Sequence, residues 1–406
     1  MSNIRQALEA LPEALRQEIT IQFPGTKPNG RLLFGFGAAQ KAGKTAQALG
    51  GTTALIVTDK TIVSLGMHQT VMESLAASGI GAFVYSDVAP EPHMDNLRDV
   101  ERLVKEKGID IVIGLGGGSS MDVGKLAGVV AKSEHDADAL MRDGGLITGS
   151  LPTILMPTTS GTGSEVSPYI VASDNGKKLY IASPHLYADA ALVDPLLTAT
   201  MPPRVTAATG LDALTHGVEG VCGQTNPFTL AMAAQCVELV FTYLPLAIEN
   251  GDNLAARYYM SFASVMGMLA YTQGGGLYAH SVSYILTTEK GAPHGLGCAL
   301  ALPYTLAYNK KQIAPVLDAL APAINRSGRF HTENAEQTIA CFSELVKLSG
   351  LPVTLRELGY TPDDAAGFAQ KLMEEYFRPK NPRRMDKAGA LALTNNMING
   401  ILDGNL

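Results

Sequence analysis

The chain has 406 residues, with 31 Lys and Arg against 38 Asp and Glu and a formal net charge of −7. Apolar residues make up 46% and charged residues 17%, which excludes a disordered chain. The acidic balance, with no long Lys/Arg run, excludes a nucleic-acid binder. Cys222, Cys236, Cys298 and Cys341 are widely spaced and form no C-x-x-C pair, so zinc ribbons, thioredoxin-like sites and disulfide scaffolds are set aside. Arg5, Glu9, Glu13 and Arg16 interrupt every apolar stretch of the N-terminus, unlike a signal peptide. Residues 258–288 carry no formal charge, yet Gln273, Gly274–Gly276 and His280 break the run, and a helix buried on all sides is the better reading. We expect a cytoplasmic protein with no membrane partner.

In chain order, an amphipathic lead (Ile4, Leu8, Leu11, Leu15, Ile19, with Pro12 between two short helical pieces) precedes an alternation of strand and helix signals. The strands expected are Leu32–Phe36, Ala54–Thr58, Ala82–Tyr85, Ile109–Leu115 and Thr153–Met156, with helical stretches at 63–77, 95–107 and 120–132 between them. Such alternation implies right-handed βαβ units and a mostly parallel sheet covered on both faces. Beyond about residue 200 convincing strands disappear, and 206–222, 229–249, 254–272, 298–308, 311–325, 332–349 and 363–376 read as helices. Prolines 195, 202 and 203 place a boundary near Asp194–Pro203. The expected architecture is therefore an α/β dinucleotide-type domain over 1–199 and an all-α domain over 200–406.

Gly114-Leu115-Gly116-Gly117-Gly118-Ser119-Ser120 ends a buried strand and opens a helix. Glycines let the backbone approach a pyrophosphate, and a helix N-terminus offers free N–H groups; a plain tight turn is the alternative. A second loop, Pro157-Thr158-Thr159-Ser160-Gly161-Thr162-Gly163-Ser164-Glu165, follows another strand and is dense in hydroxyls and glycine. It can be a capped helix start, but two donor-rich loops after two strands of one sheet favour a dinucleotide. Asp59 ends the strand Leu55-Ile56-Val57-Thr58. There it can accept hydrogen bonds from a ribose and repel a 2′-phosphate, or simply cap the next helix.

In Gly210-Leu211-Asp212-Ala213-Leu214-Thr215-His216, Asp212 and His216 are four apart, on one face of a helix. Downstream stand His280 and Pro293-His294-Gly295. In one straight helix the last two histidines would be about 21 Å apart. They can share an ion only if the helix ends between them, and Gly291 and Pro293 supply that break. One carboxylate and three imidazoles suit Fe²⁺ or Zn²⁺ better than Ca²⁺ or Mg²⁺. His68, His93, His135, His185 and His331 are read as ordinary core or surface residues. Competing chemistries lack their motifs: Tyr376…Lys380 is the only Tyr-x-x-x-Lys and contains Pro379, and G-x-S-x-G, H-E-x-x-H and G-x-x-x-x-G-K-[ST] are absent.

Gly-Gly-Gly-Ser-Ser-x-Asp at 116–122, the 157–165 run, Gly210-x-Asp-Ala-Leu-Thr-His216 and Pro293-His-Gly295 together resemble the iron-containing (group III, metal-dependent) alcohol dehydrogenase family. The resemblance runs from about Leu33 to the Asn-Pro-Arg at 381–383, leaving residues 1–22 as an extension. It implies the dehydroquinate synthase-like fold, an NAD-binding α/β domain followed by a helical metal-binding domain. It places the metal ligands on Asp212, His216, His280 and His294. It places the cofactor contacts on Gly117, Gly118 and Ser119 (pyrophosphate), on Thr158, Thr159 and Thr162, on Lys178 near the nicotinamide ribose, and on Asp59 at the adenosine ribose.

Many members carry a further histidine four residues after the third ligand. Tyr284 stands there instead, as in branches acting on hydroxy acids and oxo acids, and is the expected substrate contact. The function implied is an NAD(H)- and metal-dependent alcohol dehydrogenase or aldehyde reductase, with Fe²⁺ ahead of Zn²⁺, acting on a small primary alcohol or aldehyde that can bear an acidic group. A hydroxyacid–oxoacid transhydrogenase or hydroxybutyrate-type dehydrogenase and a dehydroquinate synthase-like lyase are the alternatives. The lyase would need a basic cluster, and none stands near 280–295. The family also implies a homodimer.

Overall fold

The computed structural model describes residues 6, 9–10, 16, 19–22, 27 and 30–403. The strands are β1 (Ile19–Gln22), β2 (Arg31–Phe34), β3 (Thr53–Val57), β4 (Gly81–Tyr85), β5 (Ile111–Gly116), β6 (Thr153–Pro157), β7 (Tyr169–Asp174), β8 (Lys177–Ala182) and β9 (Ala190–Val193). Seven of them form one sheet in the order β1–β2–β9–β6–β5–β3–β4, parallel throughout except for the antiparallel β1–β2 pair; β7 and β8 form a separate hairpin. The five expected strands lie within two residues of their predicted bounds. The hairpin and β9 were not foreseen, because short strands between loops carry little periodicity. Ile19, read as part of a helical lead, is in β1; Ile4, Leu8, Leu11, Pro12 and Leu15 lie outside the described residues.

Helices α1 (Ala42–Ala48), α2 (Lys60–Ser64), α3 (Met67–Ala77), α4 (Met94–Lys107), α5 (Gly118–Val130) and α6 (Ala137–Arg142) complete this half. Alternate residues of the central strands pack on opposite sides. Leu55, Val57 and Val112 meet Leu97, Val100, Val123 and Leu126 of α4 and α5, while Ala54, Ile56, Ile111 and Ile113 meet Ala42, Ala46, Val71 and Leu75 of α1 and α3. Burial on both faces is why these strands read as continuous apolar runs.

Two compact units result, the first running to Thr200 except for Ser160–Thr162, which groups with the second, from Met201 onward. The second unit contains α7 (Pro203–Gly223), α8 (Pro227–Glu249), α9 (Leu254–Gly274), α10 (Tyr278–Lys290), α11 (His294–Arg326), α12 (Ala335–Leu348), α13 (Ala365–Glu374) and α14 (Lys387–Asn399). The segments 298–308 and 311–325, expected as two helices, are one helix that passes through Pro303, Pro315 and Pro322. Packing of Leu300, Leu302, Leu306, Ile313, Leu317 and Leu320 in the core outweighs the local cost of proline. Helix α14 was not anticipated.

Helices α7 and α9 cross at backbone contact. A Cβ on Gly274 would lie 1.8 Å from the Gly220 carbonyl oxygen, and one on Gly267 would lie 2.4 Å from that of Ala213. The uncharged run at 258–288 therefore reflects burial against α7. Among the described residues one helix, α8, is long and apolar enough to cross a membrane; its Val237, Val240, Phe241 and Leu244 pack in the core.

Candidate metal and cofactor sites

Helix α7 places Asp212, His216 and Glu219 along one buried face, at 2%, 5% and 2% exposure. Helix α10 then brings His280, and its C-terminal Gly291 adopts a left-handed conformation that ends it. Pro293 is the N-cap of α11, whose first residue is His294. Gly295 allows that start to reach α7, since a Cβ there would lie 2.3 Å from the Ala208 carbonyl oxygen and 3.1 Å from the Asp212 Cβ. The break predicted between the two histidines thus turns the chain back onto Asp212.

Each imidazole is held through Nδ1. The His280 Nδ1 is 2.6 Å from the Glu219 carboxylate, which also accepts the main-chain N–H groups of Leu277 and Ala279. The His216 Nδ1 is 3.3 Å from the Gly161 carbonyl, which can only accept, so it carries the proton. The Ser283 hydroxyl donates to the His294 carbonyl and so accepts from His294 Nδ1, at 2.8 Å. In all three rings the proton is on Nδ1 and the lone pair on Nε2, the state in which histidine binds a metal. Burial keeps two of them neutral: desolvation lowers His216 to about 4 and His280 to about 3, the latter aided by the Arg378 charge. Desolvation raises Asp212, and pushes Glu219 up to about 7 against the Leu277 N–H, the Arg378 charge and the Ala279 N–H.

The Nε2 of His280 and the Oδ1 of Asp212 are both buried without a hydrogen-bond partner, 4.0 Å apart. The His294 Nε2 lies 3.8 Å from the same Oδ1. Two acceptors facing each other across this gap cannot bond one another, but metal–donor bonds of about 2.0–2.2 Å bridge it. The residues therefore fit a divalent transition metal. Donor atoms of Asp212, His280, His294 and Cys298 lie within 4.8 Å of one another. His216 is outside that group, although its ring centre is 4.8 Å from that of His280.

Sequence reasoning passed over three neighbours. Glu219 is seven residues past Asp212 on the same stripe, a signal that periodicity carried. Cys298 follows His294 by one turn, its Sγ 3.6 Å from Nε2. Arg378 comes from the connection after α13, and nothing local in the sequence ties it to this site. Tyr284 is buried, its ring stacked 5.5 Å from that of His294, and the Arg378 guanidinium lies 5.5 Å from the Tyr284 ring centre. Desolvation raises the Tyr284 phenol above its usual 10, so it keeps its proton.

In the first unit, β5 ends in Gly116 at φ 152°, where a Cβ would lie 2.6 Å from the Ser120 hydroxyl. Only glycine allows this turn. Gly117, the N-cap of α5, provides no side-chain cap, and residues 117–119 are part-exposed above a fully buried strand. First-turn N–H groups have no acceptor within their helix, so this end suits an anion. The adjacent loop joins it: Thr158 N–H bonds the Gly116 carbonyl, and Thr159 Oγ1 is buried without a partner, 3.8 Å from the Cβ position of Gly117.

Asp59 caps α2 through Oδ1, receiving the Thr61 and Ile62 N–H groups at 2.8 and 3.1 Å, while Oδ2 is 3.5 Å from the Gly116 Cβ position. It thus caps a helix and also faces the glycine turn. Ser119 donates to the Pro90 carbonyl at 2.6 Å, and Lys178 is buried and paired with the neighbouring Glu91. Gly118 opens α5, while Thr162 groups with the second unit, next to Gly161.

Residues 28–195 match the iron-containing alcohol dehydrogenase profile, and 206–398 match the C-terminal region of the Fe-containing alcohol dehydrogenase family. The sulfoacetaldehyde reductase of Bilophila wadsworthia is 33% identical over 374 residues, 89% of this chain and 96% of that protein. The crystal structure of a 1,3-propanediol oxidoreductase superposes with a TM-score of 0.86 at 30% identity, covering 93% of this chain and 100% of that one. The sulfoacetaldehyde reductase of Bifidobacterium kashiwanohense, solved in complex with NAD+, does so with a TM-score of 0.83 at 28% identity, covering 93% and 99%. With both domain profiles matched in order across a shared fold, this chain belongs to the iron-containing alcohol dehydrogenase family and is an oxidoreductase.

Proposed function

We propose that the protein is an NAD-dependent, metal-dependent alcohol dehydrogenase or aldehyde reductase, using residues 1–199 for the dinucleotide and 200–406 for the metal and substrate. The observation that carries this reading is the pair of buried, unpartnered acceptors, Asp212 Oδ1 and His280 Nε2, facing one another. Asp212, His216, His280 and His294 would hold a divalent ion, Fe²⁺ foremost and Zn²⁺ second, which when bound supplies Lewis-acid polarisation of the substrate oxygen. NAD, when bound, supplies the hydride acceptor.

The chain's own residues do the positioning. Glu219, Gly161 and Ser283 fix the three imidazoles with Nε2 inward, so no reorganisation is needed when a ligand arrives. Tyr271 and Tyr284 wall the imidazoles and exclude water. The Gly116–Ser119 turn and the start of α5 would receive the pyrophosphate, with Thr158 and Thr159 beside it. Asp59 Oδ2 would accept from the adenosine ribose, and Lys178 would lie toward the nicotinamide ribose. Tyr284, protonated at neutral pH, offers its hydroxyl as a donor to substrate.

The test is NADH absorbance with a panel of small aldehydes, using protein loaded with Fe²⁺, loaded with Zn²⁺, or treated with chelator. Turnover that chelation abolishes and metal restores supports the reading. Absence of turnover on every aldehyde with either metal rejects it.

A further inference from the structure

We infer that Arg378 recognises an anionic group on the substrate, and that the substrate is a short aldehyde or alcohol bearing one singly charged acid group, a carboxylate or sulfonate. This rests on the alcohol dehydrogenase reading above and narrows its substrate class.

The Arg378 guanidinium is turned inward, where it feels the Glu219 charge but, among the described residues, makes no ion-pair contact with a carboxylate. It donates through Nε to the Ser281 hydroxyl at 2.9 Å and lies over the Tyr284 ring. Arg98, Arg102 and Arg326, by contrast, each pair with a carboxylate near the surface. The buried acid whose charge it feels, Glu219, has its oxygens committed to Leu277, Ala279 and His280. An inward cation left unpaired is costly, and a ligand carboxylate or sulfonate relieves that cost with charge-assisted bonds.

A second observation points to the same place. The Tyr376 hydroxyl is buried without a partner, and its ring lies 5.6 Å from that of Tyr284. Its main-chain carbonyl takes the Ser281 hydroxyl proton, at 2.7 Å, so that hydroxyl is oriented to accept from Arg378. Guanidinium and phenol are both donors, the complement of an acid's oxygens.

The spacing sets the size. The Tyr284 ring centre is 5.5 Å from the guanidinium carbon and 5.5 Å from the His294 ring centre. The guanidinium and the His294 ring therefore lie at most about 11 Å apart, which limits a substrate reaching both to a short chain. The charge follows from the cation itself: one guanidinium balances one negative charge, while Arg383 is held on the Tyr308 ring and carbonyl.

The experiment has a kinetic and a binding arm. With metal-loaded enzyme and NADH, kcat/KM is measured for 4-oxobutanoate, 2-oxoethanesulfonate, butanal and 3-oxopropyl phosphate. The expected result is a preference for at least one of the two monoanions over butanal and over the phosphate, the better of the two identifying the acid. Arg378→Met should lower the ratio of the preferred monoanion to butanal by about 10- to 100-fold, mainly through KM, and Arg378→Lys should recover part of it. Should the Arg378 variants fold poorly, Ser281→Ala, which releases the guanidinium, should move the ratio the same way.

In the binding arm, wild-type holoenzyme is titrated calorimetrically with propionate, ethanesulfonate and propan-1-ol; at least one anion should bind more tightly than the alcohol. Preference for butanal or the phosphate, a ratio unmoved by Arg378→Met, or no anion binding above that of the alcohol overturns the inference. If no aldehyde turns over, the dehydrogenase reading falls, and the calorimetry still decides whether Arg378 makes an anion site.

Discussion

The Glu219 carboxylate and the His280 Nδ1 are 2.6 Å apart, both at 2% exposure, and the same carboxylate ties down the Leu277 and Ala279 N–H groups at the start of α10. One side chain of α7 thereby sets where α10 begins and which nitrogen of His280 faces Asp212. Partners of this kind around metal ligands are worth about 10- to 100-fold in metal affinity. We expect Glu219→Gln to weaken metal binding by that order, read by competition with a fluorescent chelator, and Glu219→Ala to weaken it further. Unchanged affinity in both variants would remove Glu219 from the site.

The ligand set itself is separable by metal content. Asp212→Ala, His280→Ala and His294→Ala should each bring bound metal close to background by atomic emission, with NAD binding retained. His216 and Cys298 compete for the fourth place. His216 already commits its Nδ1 proton to the Gly161 carbonyl, leaving Nε2 as an acceptor. We therefore expect His216→Ala to lose metal and Cys298→Ser to keep it; the opposite result would make the thiol the ligand.

Cofactor choice tests Asp59. Near a 2′-phosphate, its charge repels by about 4 kcal/mol per unit charge at 4 Å and an effective dielectric of about 20. NADH should be preferred over NADPH by at least about tenfold. Asp59→Gly should erode the preference and also lower stability, because Oδ1 caps α2. A wild-type preference for NADPH would contradict the assignment.

A pH effect is expected at Glu165, which is buried beside Lys125 with Oε2 unpartnered. Desolvation pushes it up to about 7, against its own N–H group and the Lys125 charge. A carboxyl raised in the fold binds its proton more tightly there than in the unfolded chain. Its ionisation therefore costs nothing below the unfolded value near 4.3, and the cost grows as pH rises through about 7. Glu165→Gln, which imitates the protonated form, should have nearly the wild-type Tm at pH 4.5 and a higher Tm at pH 8. A Tm difference independent of pH would contradict the buried-acid reading.

Local pattern decided the alternation of strands and helices, the glycine turn after β5 and the Asp212/His216 pair. Each is a short-range property: burial of a parallel strand on both faces makes an unbroken apolar run, and four residues return a helix to the same face. The break at Gly291 and Pro293 was legible for the same reason, since both act on their own backbone. Tertiary packing decided the rest. Helix α11 continues through three prolines because core contacts outweigh a local penalty, and β9 and the β7–β8 hairpin depend on partners distant in the chain. Cys298 joins the acceptor cluster only once α11 is docked on α7. Arg378 reaches Tyr284 from nearly a hundred residues away, a proximity that no periodicity encodes because it is created by the fold.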